Sequence, residues 1–265
     1  MSNRFFACLG MFFICLTAIA QTKIFTIDFP AEAEAEGWKV LVNPLSPGKK
    51  SDAQEMRKEG KAFVCEVTPS AIGMYDVICV KEQTQIFAHV YADPAGSMTL
   101  PVRWEGKNLV VDNDDNNKAL TAYEKVTKES NLRLWSGASA EPEELKMLLK
   151  SIQTRTDSVL SVHKCSPDVE KYIRTGAYIS TYNAYISLPR ALKCSPQNIP
   201  FKASEVMSRP ETVLDSPVAS LFPLTPSLLT NFMPKEKSLT EQIDWLYGSF
   251  KCREIVDGVA ASAIG

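Results

Sequence analysis

The tetrapeptide Lys-Cys-Ser-Pro occurs twice in the chain, at 164–167 and at 193–196. Each Ser-Pro reads as an N-cap followed by a proline at the first helical position, so Cys165 and Cys194 stand just before a helix start. A helix N-terminus lowers the pKa of a nearby thiol, and the chemistry this would supply is a pair of reactive thiolates. The plainer reading is two capping motifs, each with a cysteine beside it. Length opposes a bridge between the two. One straight helix between them would hold its ends about 40 Å apart, whereas a disulfide needs Cα atoms within about 7 Å. A sharp break at Pro189 would be required to change that.

Other residues with chemical potential lack the company they need. The chain has two histidines, His89 and His163, which nearly excludes a multi-histidine metal centre. His163 closes an apolar helical stripe, where a core or rim histidine is the simpler account than a ligand paired with Cys165. His89 shares a strand face with Phe87 and Tyr91. Asp112, Asp114 and Asp115 have no glycine and glutamate at the later positions of a calcium loop, and they read as a solvated hinge. Tyr178, Tyr182 and Tyr185 are spaced i, i+4, i+7, with Tyr172 further back. They form either a contact surface for a carbohydrate or protein, or an internal helix seam. No C-x-x-C, G-x-S-x-G, P-loop or G-x-G-x-x-G occurs, so no catalytic, cofactor-binding or metal-binding residue is assigned.

The 265 residues are 45% hydrophobic and 23% charged, a globular balance. The net charge is −2, with 11 basic and 13 acidic residues up to Asp112 and 18 of each beyond it. Neither half carries the basic excess that binding nucleic acid requires. Residues 1–20 begin with one charge at Arg4, continue apolar from Phe5 and close on Ala18-Ile19-Ala20. That pattern predicts a secretory signal peptide cut before Gln21, and an exported protein with no later membrane span. Removal of the leader takes Cys8 and Cys15 with it. Cys65, Cys79, Cys165, Cys194 and Cys252 remain, an odd number. Cys65 and Cys79 are expected on neighbouring strands, free or bridged.

Residues 21–112 alternate with period two. Phe25, Ile27 and Phe29 share a face, as do Trp38, Val40 and Val42, then Phe63, Cys65 and Val67, then Tyr75, Val77 and Cys79. Turn residues separate these runs, which predicts an antiparallel β-sandwich of six to eight strands. The charged connection 47–58 is read as helix or loop. The polar stretch 112–117 is expected to supply helix caps, and beyond it the period becomes 3.6. Ala119, Ala122, Tyr123 and Val126 fit one stripe; Leu145, Leu148, Leu149 and Ile152 fit another. Ser208 with Glu211 and Ser238 with Glu241 read as capping boxes. The expected class is α+β: a sandwich over 21–112, then a helical bundle over 113–265. The stripe at Val256, Val259, Ala260 and Ala263 reads as a helix in a chain that once continued.

This order of parts resembles the N-terminal region of exported thioredoxin-like proteins of Bacteroidetes, of the TlpA/ResA type. Those begin with a β domain of unknown function (DUF4369-like). The resemblance is carried by the leader ending in Ala-Gln, the run 74–80 (MYDVICV), Asn117 to Leu120 with Tyr123, and the hydrophobic run 221–232 (LFPLTPSLLTNF). In the family a thioredoxin fold with W-C-x-x-C follows, and no residue of this chain matches that motif. The resemblance implies a non-catalytic accessory region of an envelope thiol-disulfide oxidoreductase. It would position a partner, such as a thioredoxin-fold domain or another envelope protein, or hold a homodimer. A free-standing secreted binding module for a glycan or protein is the alternative reading.

Overall fold

The computed structural model describes residues 22–47, 52–136 and 141–264. The signal-peptide reading, with Cys8 and Cys15, lies outside them. The fold is α+β, a two-sheet sandwich followed by a helical body.

The sandwich is built from β1 (Lys23–Asp28), a one-turn helix α1 (Glu32–Ala35), β2 (Lys39–Pro44), β3 (Gln54–Glu55), β4 (Arg57–Glu59), β5 (Ala62–Val67), β6 (Met74–Lys81), β7 (Thr84–Tyr91) and β8 (Thr99–Pro101). A hairpin of β9 (Arg103–Glu105) and β10 (Asn108–Val110) completes it. One sheet runs β4-β5-β1-β8 and the other β3-β2-β6-β7. The alternation places one side of each strand in a common core: Phe25 and Ile27 from β1, Val40 and Val42 from β2, Phe63 from β5, Tyr75, Val77 and Cys79 from β6, and Ala88 and Val90 from β7. Trp38 stacks on Trp104 at 4.7 Å, and the Trp104 indole N–H donates to the Glu34 carbonyl at 3.1 Å.

Three expectations change. The sandwich is not wholly antiparallel, because β8 joins β1 in parallel, with Ile27 opposite Leu100. Cys65 and Cys79 are not neighbours. Cys65 lies in β5 and Cys79 in β6, on opposite sheets, and both thiols are free. The connection read as helix or loop contains β3 and β4. Between them Met56 is buried and its N–H donates to the Val40 carbonyl at 2.8 Å, where the chain passes from one sheet to the other.

The helical body comprises α2 (Asp115–Ser136), α3 (Pro142–Val162), α4 (Pro167–Leu192), α5 (Pro210–Leu214), α6 (Thr225–Phe232), α7 (Leu239–Ser249) and α8 (Arg253–Ile264). Asp114 caps α2 by accepting from the Asn117 N–H at 2.8 Å, Ser166 caps α4, and Ser238 with Glu241 forms a reciprocal capping box on α7. Ser208 forms no such box. Helix α5 starts at Pro210 with Arg209 before it and no side-chain cap, and the Ser208 carbonyl is taken by the Tyr178 hydroxyl at 2.9 Å. Pro189 is absorbed in the last turn of α4 without breaking it, so α4 is one helix of 26 residues. That is about 39 Å of rise at 1.5 Å per residue, which holds Cys165 and Cys194 far apart.

The two bodies meet through the outer faces of β6 and β7. Residues of β6 alternate between them: Tyr75 and Val77 enter the sandwich core, while Met74 belongs to the helical core with Leu120, Tyr172 and Ile173.

Candidate binding cleft at the sandwich–helix junction

Strand β7 is an edge strand, and an uncovered edge is a template for unwanted pairing. Helix α2 covers it with side chains. The Asn117 carboxamide accepts from the Tyr91 N–H and donates to the Tyr91 carbonyl, both at 2.8 Å, as a paired strand would. Two turns further on, Glu124 Oε1 accepts from the His89 N–H at 2.9 Å. Asn117 and Glu124 are i, i+7 on one helix face, and His89 and Tyr91 are i, i+2 along one strand edge. The two periodicities meet here, and that agreement fixes α2 against the sandwich.

The ring of His89 lies on the outer face of the sheet. Its Nδ1 is 2.7 Å from Asp76 Oδ1 on the neighbouring strand, the pair directly opposite in the β6–β7 register. Its face meets the edge of Tyr172 from α4 at 5.7 Å, and Tyr172 in turn lies 4.9 Å from Phe222. Burial works against protonating His89, but the Asp76 hydrogen bond and the charges of Glu124 and Asp76 outweigh it, so its pKa is raised. Glu124 is also raised. Burial is the main cause and Asp76 adds to it, while His89 and Lys128 oppose it. An imidazole thus sits between two carboxylates, Asp76 from the sandwich and Glu124 from the helical body.

Beside this cluster is a cleft of about 590 Å³. Its walls are the outer face of β7 at Phe87, α2 at Tyr123, α4 at Tyr172 and Ile179, and the turn at Phe222 and Leu224. Gly176 shapes the floor. A Cβ there would lie 2.4 Å from the Tyr123 hydroxyl and 3.1 Å from the Phe222 ring, so only glycine lets α4 approach these rings. Two large apolar side chains stay exposed at the mouth, Phe87 at 57% and Leu224 at 44%. The arrangement can hold an apolar group against aromatic walls and a polar head against a buried carboxylate.

The residues singled out from the sequence lie elsewhere. Tyr178 and Tyr182 are buried and Tyr185 is half-buried, so the tyrosine stripe is an internal seam and not an exposed contact surface. Tyr182 packs against Phe232, and the Tyr185 hydroxyl donates to the Phe201 carbonyl at 3.1 Å. Cys165 precedes the capped start of α4 as expected, whereas Cys194 precedes only a three-residue 3-10 turn, Pro196–Asn198, with no side-chain cap; both thiols are free and half-buried. The Cys165 pKa is raised by burial and by the acidic groups Glu170, Asp115 and Asp114, the reverse of what a reactive thiolate needs. Burial pushes Cys65 up to about 11 and Cys79 up to about 12, and it also raises Cys252. His163 follows the last turn of α3, where its N–H donates to the Val159 carbonyl at 3.2 Å. Among the described residues no three His, Cys, Asp or Glu side chains group to hold a metal ion, and no helix is long and apolar enough to cross a membrane.

Asp76, Glu124 and Gly176 are not singled out from the sequence, and Asn117 enters there only as part of the polar capping stretch and of the resemblance. The signal that could have found them is the face opposite the core: Asp76 and His89 are polar positions flanked on both sides by apolar residues, Tyr75 and Val77 in β6 and Ala88 and Val90 in β7. No family model, no curated protein and no solved structure matches this chain.

Proposed function

We propose that this chain is the non-catalytic accessory region of an exported thioredoxin-like thiol-disulfide oxidoreductase of the cell envelope. The observation that carries the reading is the state of the thiols. Burial raises the pKa of Cys65, Cys79, Cys165 and Cys252, which keeps these groups protonated and poorly nucleophilic. The order of parts supports it: a sandwich first and then a helical body, the order the resemblance implies. In this reading the scaffold positions a partner, and the redox chemistry belongs to a separate W-C-x-x-C domain.

The test is association. The chain would be co-expressed in a periplasm with a thioredoxin-fold domain bearing W-C-x-x-C and examined by native mass spectrometry. A one-to-one complex, with Cys65, Cys79, Cys165, Cys194 and Cys252 still reduced, is the expected result. Failure to associate, or turnover of a disulfide substrate through Cys165 or Cys194, would contradict it.

The cleft favours a second reading, a free-standing binding module, because Phe87 and Leu224 leave apolar surface at its mouth. That module would take its ligand at the junction and not on the tyrosine stripe.

A further inference from the structure

We propose that the junction cleft binds a small organic cation, a primary alkylammonium on a short apolar stem. The ammonium would meet the Glu124 carboxylate, and the stem would lie between Phe87, Tyr172 and Phe222. This does not depend on the chain serving an oxidoreductase.

Three independent observations lead there. The first is shape. A cleft of about 590 Å³ is within the range of small-molecule sites, roughly 300–1,000 Å³. Part of its floor is a mid-helix glycine, where a Cβ would collide with Tyr123 and Phe222. Glycine costs about 1 kcal/mol relative to alanine inside a helix, and here the close approach of Tyr123 and Phe222 requires it.

The second is wall chemistry. His89, Tyr172 and Phe222 follow one another as a row of rings at 5.7 and 4.9 Å, with Tyr123 beside them. Aromatic faces attract cations, and more strongly where water is displaced.

The third is charge. Among the described residues, the ionisable groups lining the cleft are His89 from β7, Glu124 and Lys128 from α2 and the phenols of Tyr123 and Tyr172, while Asp76 from β6 stands behind His89 at 2.7 Å. Among the described residues the basic side chain at the rim is Lys128, which is exposed and donates to Asn108 Oδ1 at 3.0 Å. Among the described lining residues Glu124 is the one carboxylate, and the His89 imidazole is the deep group that can offset its charge. When the imidazole is neutral, the Glu124 carboxylate lacks a deep countercharge, and a bound ammonium supplies it.

The same groups dictate how binding responds to acid. Protonating His89 or Glu124 removes the excess negative charge that attracts the ligand, so binding expels protons and tightens as pH rises. For one expelled proton the affinity changes by up to tenfold per pH unit.

Isothermal titration of the full chain with n-pentylammonium at pH 6 and pH 8 tests this, with n-pentanol and hexanoate as neutral and anionic controls of similar length. The expected result is saturable binding of the ammonium, tighter at pH 8, at least tenfold stronger than either control, and accompanied by proton release. Glu124→Gln should weaken it at least tenfold. Should that variant fail to fold, Phe87→Ala at the exposed rim keeps the scaffold and should weaken binding about threefold. Absence of binding, equal binding of hexanoate or pentanol, or affinity that is unchanged in the folded variants would overturn the proposal.

Discussion

Gly176 shows how one missing atom governs the junction. Alanine there would improve helix propensity by about 1 kcal/mol, yet its Cβ would fall 2.4 Å from the Tyr123 hydroxyl. Overpacking of this kind costs about 1–3 kcal/mol. Gly176→Ala is therefore expected to destabilise the protein in urea titration, and an unchanged or raised midpoint would contradict the packing described. His89 makes a second prediction. Burial opposes its proton, but Asp76 and Glu124 prevail and raise its pKa above the ordinary 6.5. Its contribution to stability is complete below about 6.5 and is lost as pH rises through the folded value. Burial raises Glu124 above its ordinary 4.5, so its contribution is complete below about 4.5 and is likewise lost as pH rises. Both groups hold protons more tightly folded than unfolded, and the slopes add. The melting temperature should fall from pH 5 towards pH 8 by more in the native protein than in His89→Gln. Identical pH profiles would remove His89 from the account.

Among elements, the contact between α2 and β7 carries the most weight, and Asn117 is its centre. The buried amide pairs with both main-chain groups of Tyr91 and also touches Asn113 and Asp114. Asn117→Ala would strand the Tyr91 N–H and carbonyl at a covered edge, with a cost of about 2–3 kcal/mol. Hydrogen exchange should report it as faster exchange at Tyr91 and His89, with the β1 amides unaffected; uniform acceleration would mean that the edge is not a separate unit. This contact also marks what the sequence could express. Period-two runs and capping residues are local, so the strands, α2, α4 and the box at Ser238 were legible. Pairing is long-range. Cys65 and Cys79 looked adjacent because their strands are consecutive in the pattern, yet they sit on opposite sheets. Ser208 looked like a cap because its spacing to Glu211 fits, but the Tyr178 hydroxyl claims its carbonyl. The cleft draws on β6, β7, α2, α4 and a turn, and no spacing along the chain brings those together.

For the whole molecule, a sandwich and a helical body are joined across one face, with Met74 in the helical core and Tyr75 in the sandwich core. Cys65 and Cys79 pack in or against the sandwich core, and Cys165 and Cys252 in or against the helical core. A thiol raised to about 11 is ionised to roughly one part in three thousand at pH 7.5. In the proposed function this chain positions chemistry done elsewhere and performs no thiol exchange of its own. Site-resolved mass spectrometry of the native chain incubated with oxidised glutathione at pH 7.5 tests it most directly. No mixed disulfide is expected at Cys65, Cys79 or Cys165 over the time in which the urea-unfolded chain reacts fully. Rapid glutathionylation of Cys165 in the folded protein, followed by its transfer to Cys194, would contradict it.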